Sequence, residues 1–203
     1  MSEARRLNAV IAAYLAPLLR ADGFKGSGRR FRRIFPDHVE IFSVQGSRYG
    51  TAFAINLGIQ PLSIPDASEN MPIARTITED KCEFRRRLSE SGTDQWWPYD
   101  ASEDSMRIAV LAAAAVYSRV GQRMFEQFAG TDSPLHTITA EALESSSDGL
   151  HGFGSTRFRT ALALSRLRYV QNRPSEAKCF AQLALKHIGG AAGYRRELEI
   201  ALA

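Results

Sequence analysis

The strongest constraint on this chain is a nine-residue stretch, TAFAINLGI at 51–59, in which Phe53, Ile55, Leu57 and Ile59 occupy every second position. Side chains two apart share one face of a strand and neighbours oppose one another. The segment therefore lays its apolar residues on a core and turns Asn56 to the other side. Residues 38–45 (HVEIFSVQ) are also rich in strand formers, and GSRYG at 46–50 joins the two as a short antiparallel connection. Pro36-Asp37 makes a tight link back to residues 29–35, and Cys82 to Leu88 reads as one more strand. A four-stranded antiparallel sheet is the economical arrangement.

Helices flank it. Leu7, Val10, Ile11, Tyr14, Leu15, Leu18 and Leu19 recur at helical spacing and Gly23 is a natural stop, so residues 3–22 read as an amphipathic helix with Pro17 as the place for a kink. Ser102 caps a long central helix whose first turn holds Glu103 and Asp104 and which runs to about Phe128, with Gly130 ending it. Residues 60–81, carrying Pro61, Pro65 and Pro72, read as an irregular excursion of the kind that covers a sheet or carries function. After a Ser/Gly-rich boundary at 145–155, Leu164, Leu167 and the run from Glu176-Ala177 to Ala184-Leu185 resemble a tetratricopeptide-like helical hairpin. A lone unit makes no solenoid, so it is expected to pack on the rest. The fold class is α+β: an α+β unit over 1–130 and a helical extension over 131–203.

No apolar run approaches the roughly 20 residues of a membrane span, and the first residues lack an apolar leader core. A cytoplasmic protein is the simplest reading. Cys82 and Cys179 stand far apart and suggest reduced, packed thiols. Lys and Arg number 26 against 22 Asp and Glu, a mild net charge of +4. The cations are mostly Arg, clustered at Arg29, Arg30, Arg32 and Arg33 and again at Arg85, Arg86 and Arg87, where planar forks suit phosphates or carboxylates.

Several short motifs occur in a telling order: Gly23-Phe24, Gln45-x-Ser47, Asn56-Leu57-Gly58, Cys82-x-x-Arg85-x-Arg87-Leu88, and the paired Trp96-Trp97. In this the chain, over about residues 7–99, resembles the bacterial domain-of-unknown-function family 4304. Where that family often has an aromatic and a polar residue between the Cys and the first Arg, Glu83 and Phe84 stand here. The resemblance implies a fold; the family's name declares its activity unknown, so no catalytic role comes with it.

Strand parity gives the candidate site. With Phe53, Ile55, Leu57, Phe42, Val44, Phe84, Phe31 and Leu88 inward, one outer face gathers Arg30, Arg32, Gln45, Asn56, Arg85 and Arg87. Guanidinium and amide groups on a rigid sheet can recognise an anionic or peptide-like ligand. An ordinary solvated sheet face gives much the same pattern, with Asp66, Glu69, Glu79 or Glu83 as internal partners. Trp96 and Trp97 read either as a stacking platform or as a plug between helix and sheet.

Enzyme motifs are wanting. His38, His136, His151 and His187 lack metal-ligand spacing, GFKGSG lacks the phosphate-loop order, and no GxSxG elbow occurs. No metal or cofactor is expected. Three function readings remain. The first is a non-enzymatic binding or protein-interaction module whose partner is an unidentified protein or anionic ligand. The second is an enzyme or binder of a phosphorylated or nucleotide ligand, with Arg30, Arg85 and Arg87 as clamps and Glu83 as base. The third is single-strand nucleic-acid binding, against which stand the absence of an aromatic from the six-residue face and of RNP-type sequences.

Overall fold

The computed structural model describes residues 2–129, 132–145 and 150–202. The helix stop expected at Gly130, the boundary between residues 130 and 131, and the centre of the Ser/Gly-rich stretch at 146–149 lie outside the described residues.

Helix α1 (Glu3–Val10) passes through a π turn (Ile11–Leu15) into α2 (Ala16–Ala21). Pro17 has no amide hydrogen, so the regular ladder cannot cross it, and the wider turn absorbs the break. The kink expected at Pro17 takes this form. Gly23 ends the helix at φ 85°, with its amide donating to Arg20 O and that of Phe24 to Leu19 O. This is the left-handed stop that glycine supplies at least cost. The central helix has the same plan: α3 (Glu103–Val116), a π turn (Tyr117–Gly121) and α4 (Gln122–Ala129), with the Ser105 amide donating to Ser102 Oγ at the cap.

The sheet contains the four expected strands and two short additions. In chain order they are β1 (Lys25–Ser27), β2 (Arg30–Ile34), β3 (His38–Gly46), β4 (Ala52–Pro61), β5 (Phe84–Arg87) and β6 (Trp97–Pro98). All pairs are antiparallel in the order β1-β2-β3-β4-β5, and β6 lies beside the start of β4. GFKGSG is thus a helix stop followed by β1 and a hairpin turn. The inner face sets Phe42, Phe53, Ile55, Leu57 and Phe84 against Leu7, Ile11 and Leu15 of the first helix and Met106, Val110 and Phe125 of the central one. Each such side chain contributes on the order of 1.5–3 kcal/mol by leaving water.

Beyond α5 (Pro134–Thr137) and α6 (Ala140–Ser145), the hairpin α7 (Arg157–Val170) and α8 (Pro174–Lys186) is followed by α9 (Arg195–Leu202). Ser165 Oγ donates to Ala177 O at 2.9 Å, an approach that small residues permit. Leu162, Leu164, Phe180 and Leu198 join the same apolar cluster as the sheet and the first two helices. Among the described residues no helix is long and apolar enough to cross a membrane.

The outer face is half covered. Val39 and Ile41 share it with Ser43 and Gln45, and they pack under Ile77 and Cys82 of the excursion that follows β4, with Leu62 and Ala74 at the margin. Gly58 makes this contact possible: a methyl there would stand 2.9 Å from Cys82 Sγ and 3.3 Å from Glu79 Cα. Gly58→Ala is expected to destabilise the protein by about 1–3 kcal/mol through overpacking. A second change, Cys82→Ala, should recover part of the loss in urea denaturation. An unaltered midpoint for Gly58→Ala would show that the cover does not press on the sheet.

Candidate functional site

Register decides which side chains share the outer face. Arg30 pairs with Ser43, Ser43 with Asn56 and Asn56 with Arg87, making one row across four strands. Arg32, Ile41, Gly58 and Arg85 make the next. Arg30, Arg32, Gln45, Asn56, Arg85 and Arg87 therefore do emerge on one side, but the cover divides them.

Arg32 and Arg85 border the covered half and fasten the excursion, Arg85 itself remaining exposed. Arg32 Nε donates to Ile77 O at 2.8 Å, and Arg85 Nη1 to Asp80 O at 2.9 Å. Both guanidinium groups hold main-chain carbonyls at the margin of the cover. Glu83 has the same parity but lies deeper, 1% exposed, with Arg159 Nε donating to its Oε2 at 3.0 Å and Arg159 Nη2 to its Oε1. Burial pushes the Glu83 carboxyl above its ordinary value, against the pull of Arg159. Its place behind the cover separates it from the open half, so the base of the enzyme reading does not reach a ligand there.

Arg159 and Arg166 of α7 also hold Glu69, which Arg159 Nη1 and Arg166 Nη2 bind from two sides, while Arg166 Nε meets Glu197 at 2.7 Å. Glu69 reaches this position from a left-handed backbone, φ 61°. The Asp66 carboxylate supports that turn by accepting from the amides of Ser68 and Asn70. For a non-glycine residue the conformation costs roughly 1–2 kcal/mol, which two charge-assisted hydrogen bonds offset. This latch joins the excursion and β5 to the C-terminal helices.

The open half keeps Arg30, Gln45, Asn56, Arg87 and one of the tryptophans. Arg30 is loosely paired with Glu79 at 3.6 Å, and its side chain remains 53% exposed. Asn56 Nδ2 and Arg87 Nη1 both donate to Gln45 Oε1, at 2.9 and 3.3 Å. Arg87 Nε meets Asp94 Oδ1 at 2.8 Å, Trp96 Nε1 donates to Asp94 Oδ2 at 2.9 Å, and the guanidinium lies 5.1 Å from the Trp96 ring centroid. Asp94 thus fixes a flat guanidinium against an indole, an attractive pairing. Trp97 does the opposite of Trp96: it is 4% exposed and stacks on Phe53 at 5.7 Å. Of the tryptophan pair, Trp97 plugs the core and Trp96 stays at the surface.

Beside this row, Ser27, Arg29, Arg30, Ser43, Gln45 and Glu79 line a hollow of about 510 Å³. Arg29 Nε donates to Asn8 Oδ1 at 2.9 Å, tying its rim to α1. Arg29, Glu79 and Asp94 are the residues that strand parity did not single out; Arg29 lies just before the observed β2, Glu79 opens a short 3-10 turn and Asp94 comes from a loop. Among the described residues no three His, Cys, Asp or Glu side chains are grouped to hold a metal ion.

The fold and this face define an antiparallel α+β sheet domain with a half-covered outer surface and a cationic, partly aromatic opening. The chain belongs to the family Domain of unknown function (DUF4304), whose model matches residues 15–117. No curated protein and no solved structure matches it. The family segment spans the whole sheet and its cover, while α5 to α9 fall outside it.

Proposed function

We propose that this protein is a non-enzymatic binding module whose ligand is anionic and lies across the open half of the sheet. The observation that carries the reading is the in-register row Arg30, Ser43, Asn56 and Arg87 on rigid backbone. Two cations stand at its ends; between them Asn56 and the neighbouring Gln45 reach the surface, while Ser43 lies buried beneath. Asn56 and Arg87 are held in place by Gln45 and Asp94, so little side-chain entropy is lost at that end when an anion engages it. Glu79 and Asp94 neutralise the two arginines when no ligand is present, and an incoming anion shares or displaces them.

The test is a thermal-shift panel of inorganic phosphate, tripolyphosphate, nucleotides and acidic peptides, comparing the full chain with an Arg30→Ala, Arg87→Ala double variant. A ligand at about 100 times its Kd stabilises by about 2.7 kcal/mol, a rise of several degrees. That rise is expected in the wild type and absent from the variant. A rise of equal size in both proteins would place the ligand elsewhere.

A further inference from the structure

The open half of the sheet carries one feature that narrows the ligand class. Trp96, 36% exposed, is held beside Arg87 by Asp94, whereas the neighbouring indole is spent on the core. An acidic peptide or a free phosphate needs only the arginines, whereas a nucleobase also engages the exposed ring. We infer that the ligand is a single-stranded nucleic acid, with one base on the Trp96–Arg87 pair and the phosphate chain running across β4 and β3 to Arg30 and the hollow beside Arg29. This inference rests on the binding reading of the same face.

Three further observations agree. Arg87 and Arg30 are separated by three strand spacings, about 14 Å, so a ligand touching both must be extended. The floor between them offers Asn56 and Gln45, which can meet base edges and sugar oxygens without demanding charge. Base stacking on an aromatic ring requires an exposed base face, which a single strand offers and a duplex interior does not. The acids set the strength. Asp94, 59% exposed, and Glu79 lie next to the two cations and oppose the phosphates, so binding is modest and salt-sensitive, with a slope of log affinity on log salt of about −2 for three phosphate contacts.

The experiment titrates the full chain with fluorescein-labelled oligothymidylate and oligouridylate, with a duplex and with thymidine monophosphate as comparison arms. Both single strands are expected to bind and to quench tryptophan fluorescence. Trp96→Ala should weaken binding about 5- to 150-fold, the range seen for loss of one stacked base. Arg30→Ala should weaken it too and flatten the salt slope by about 0.7. Both positions are exposed, and unchanged melting temperatures confirm that the variants fold. The inference is overturned if the duplex or the mononucleotide binds as tightly as the strands, or if Trp96→Ala leaves the affinity within twofold. Oligonucleotides that fail where another anion of the thermal-shift panel succeeds would remove the nucleic acid and leave the binding reading intact. Failure of every anion and every strand would remove both.

Discussion

Arg159→Met is expected to cost about 3–5 kcal/mol, because it strands a carboxylate that the fold has sealed from water. Glu83 is 1% exposed and takes two hydrogen bonds from Arg159. The same guanidinium also donates to Asp66 O and to Tyr194 Oη, so one truncation opens the contact between the cover, β5 and α7 together. For a chain of this length the melting temperature should fall on the order of 10 °C. Glu83→Gln in the Arg159→Met background removes the stranded charge and should restore much of the loss. A single variant that unfolds within about 1 kcal/mol of wild type would show that water reaches the carboxylate after all. The latch also sets an acid limit. Burial alone would raise the Glu69 carboxyl, but hydrogen bonds from Arg166 and Arg159 hold it below its ordinary 4.5. Its stabilisation is therefore complete above that value and disappears as pH falls through the lower folded one.

The second large effect is expected at Arg168, which is 0% exposed. Its Nη1 donates to Leu135 O at 2.9 Å and to Gln171 Oε1 at 3.2 Å, its Nη2 to Ile138 O at 3.4 Å, and its Nε to Glu176 at 3.2 Å. The guanidinium also lies 5.6 Å from the Phe180 ring centroid. Burial, with Arg173 nearby, lowers its pKa, yet the group stays charged because guanidinium starts so high. One planar fork thereby closes the carbonyls between α5 and α6 against the α7–α8 hairpin. Arg168→Met should cost about 3–5 kcal/mol by denaturant titration. Amide exchange should speed up in residues 134–145 first. Arg168→Lys should recover little, since a point charge with a shorter reach cannot serve four acceptors in one plane. Near-wild-type stability in the lysine variant would mean that charge alone holds the junction.

The sheet was legible because β4 obeys a period of two from Phe53 to Ile59 and β3 beside it is rich in strand formers. β1 and β6 were not, being three and two residues long, too short for any alternation to register. The outer face of six polar residues was also legible from parity. What covers half of it was not, although one signal was present in HVEIFSVQ. Val39 and Ile41 are apolar at the same parity as Ser43 and Gln45, while Phe42 and Val44 are apolar at the other. A strand that is apolar on both sides is buried on both, so the lower half had to lie beneath something. Parity placed Glu83 on the correct side of the sheet, but only tertiary contact with Arg159, 76 positions later, reveals that it is neutralised internally. The divergence of the tryptophans was not legible in this way, because only Trp97 lies in a strand and alternation says nothing about Trp96.

The latch has a consequence for descent within the family. The carboxylate at position 83 belongs to the matched segment, whereas the arginine that answers it belongs to α7, outside that segment. A homologue that ends soon after the central helix has no such guanidinium to offer, and an acid at the equivalent of Glu83 would be a liability there. Chain length and the residue at this one position are therefore expected to vary together across the family, with an uncharged residue in members that lack the tail, which an alignment of those members checks.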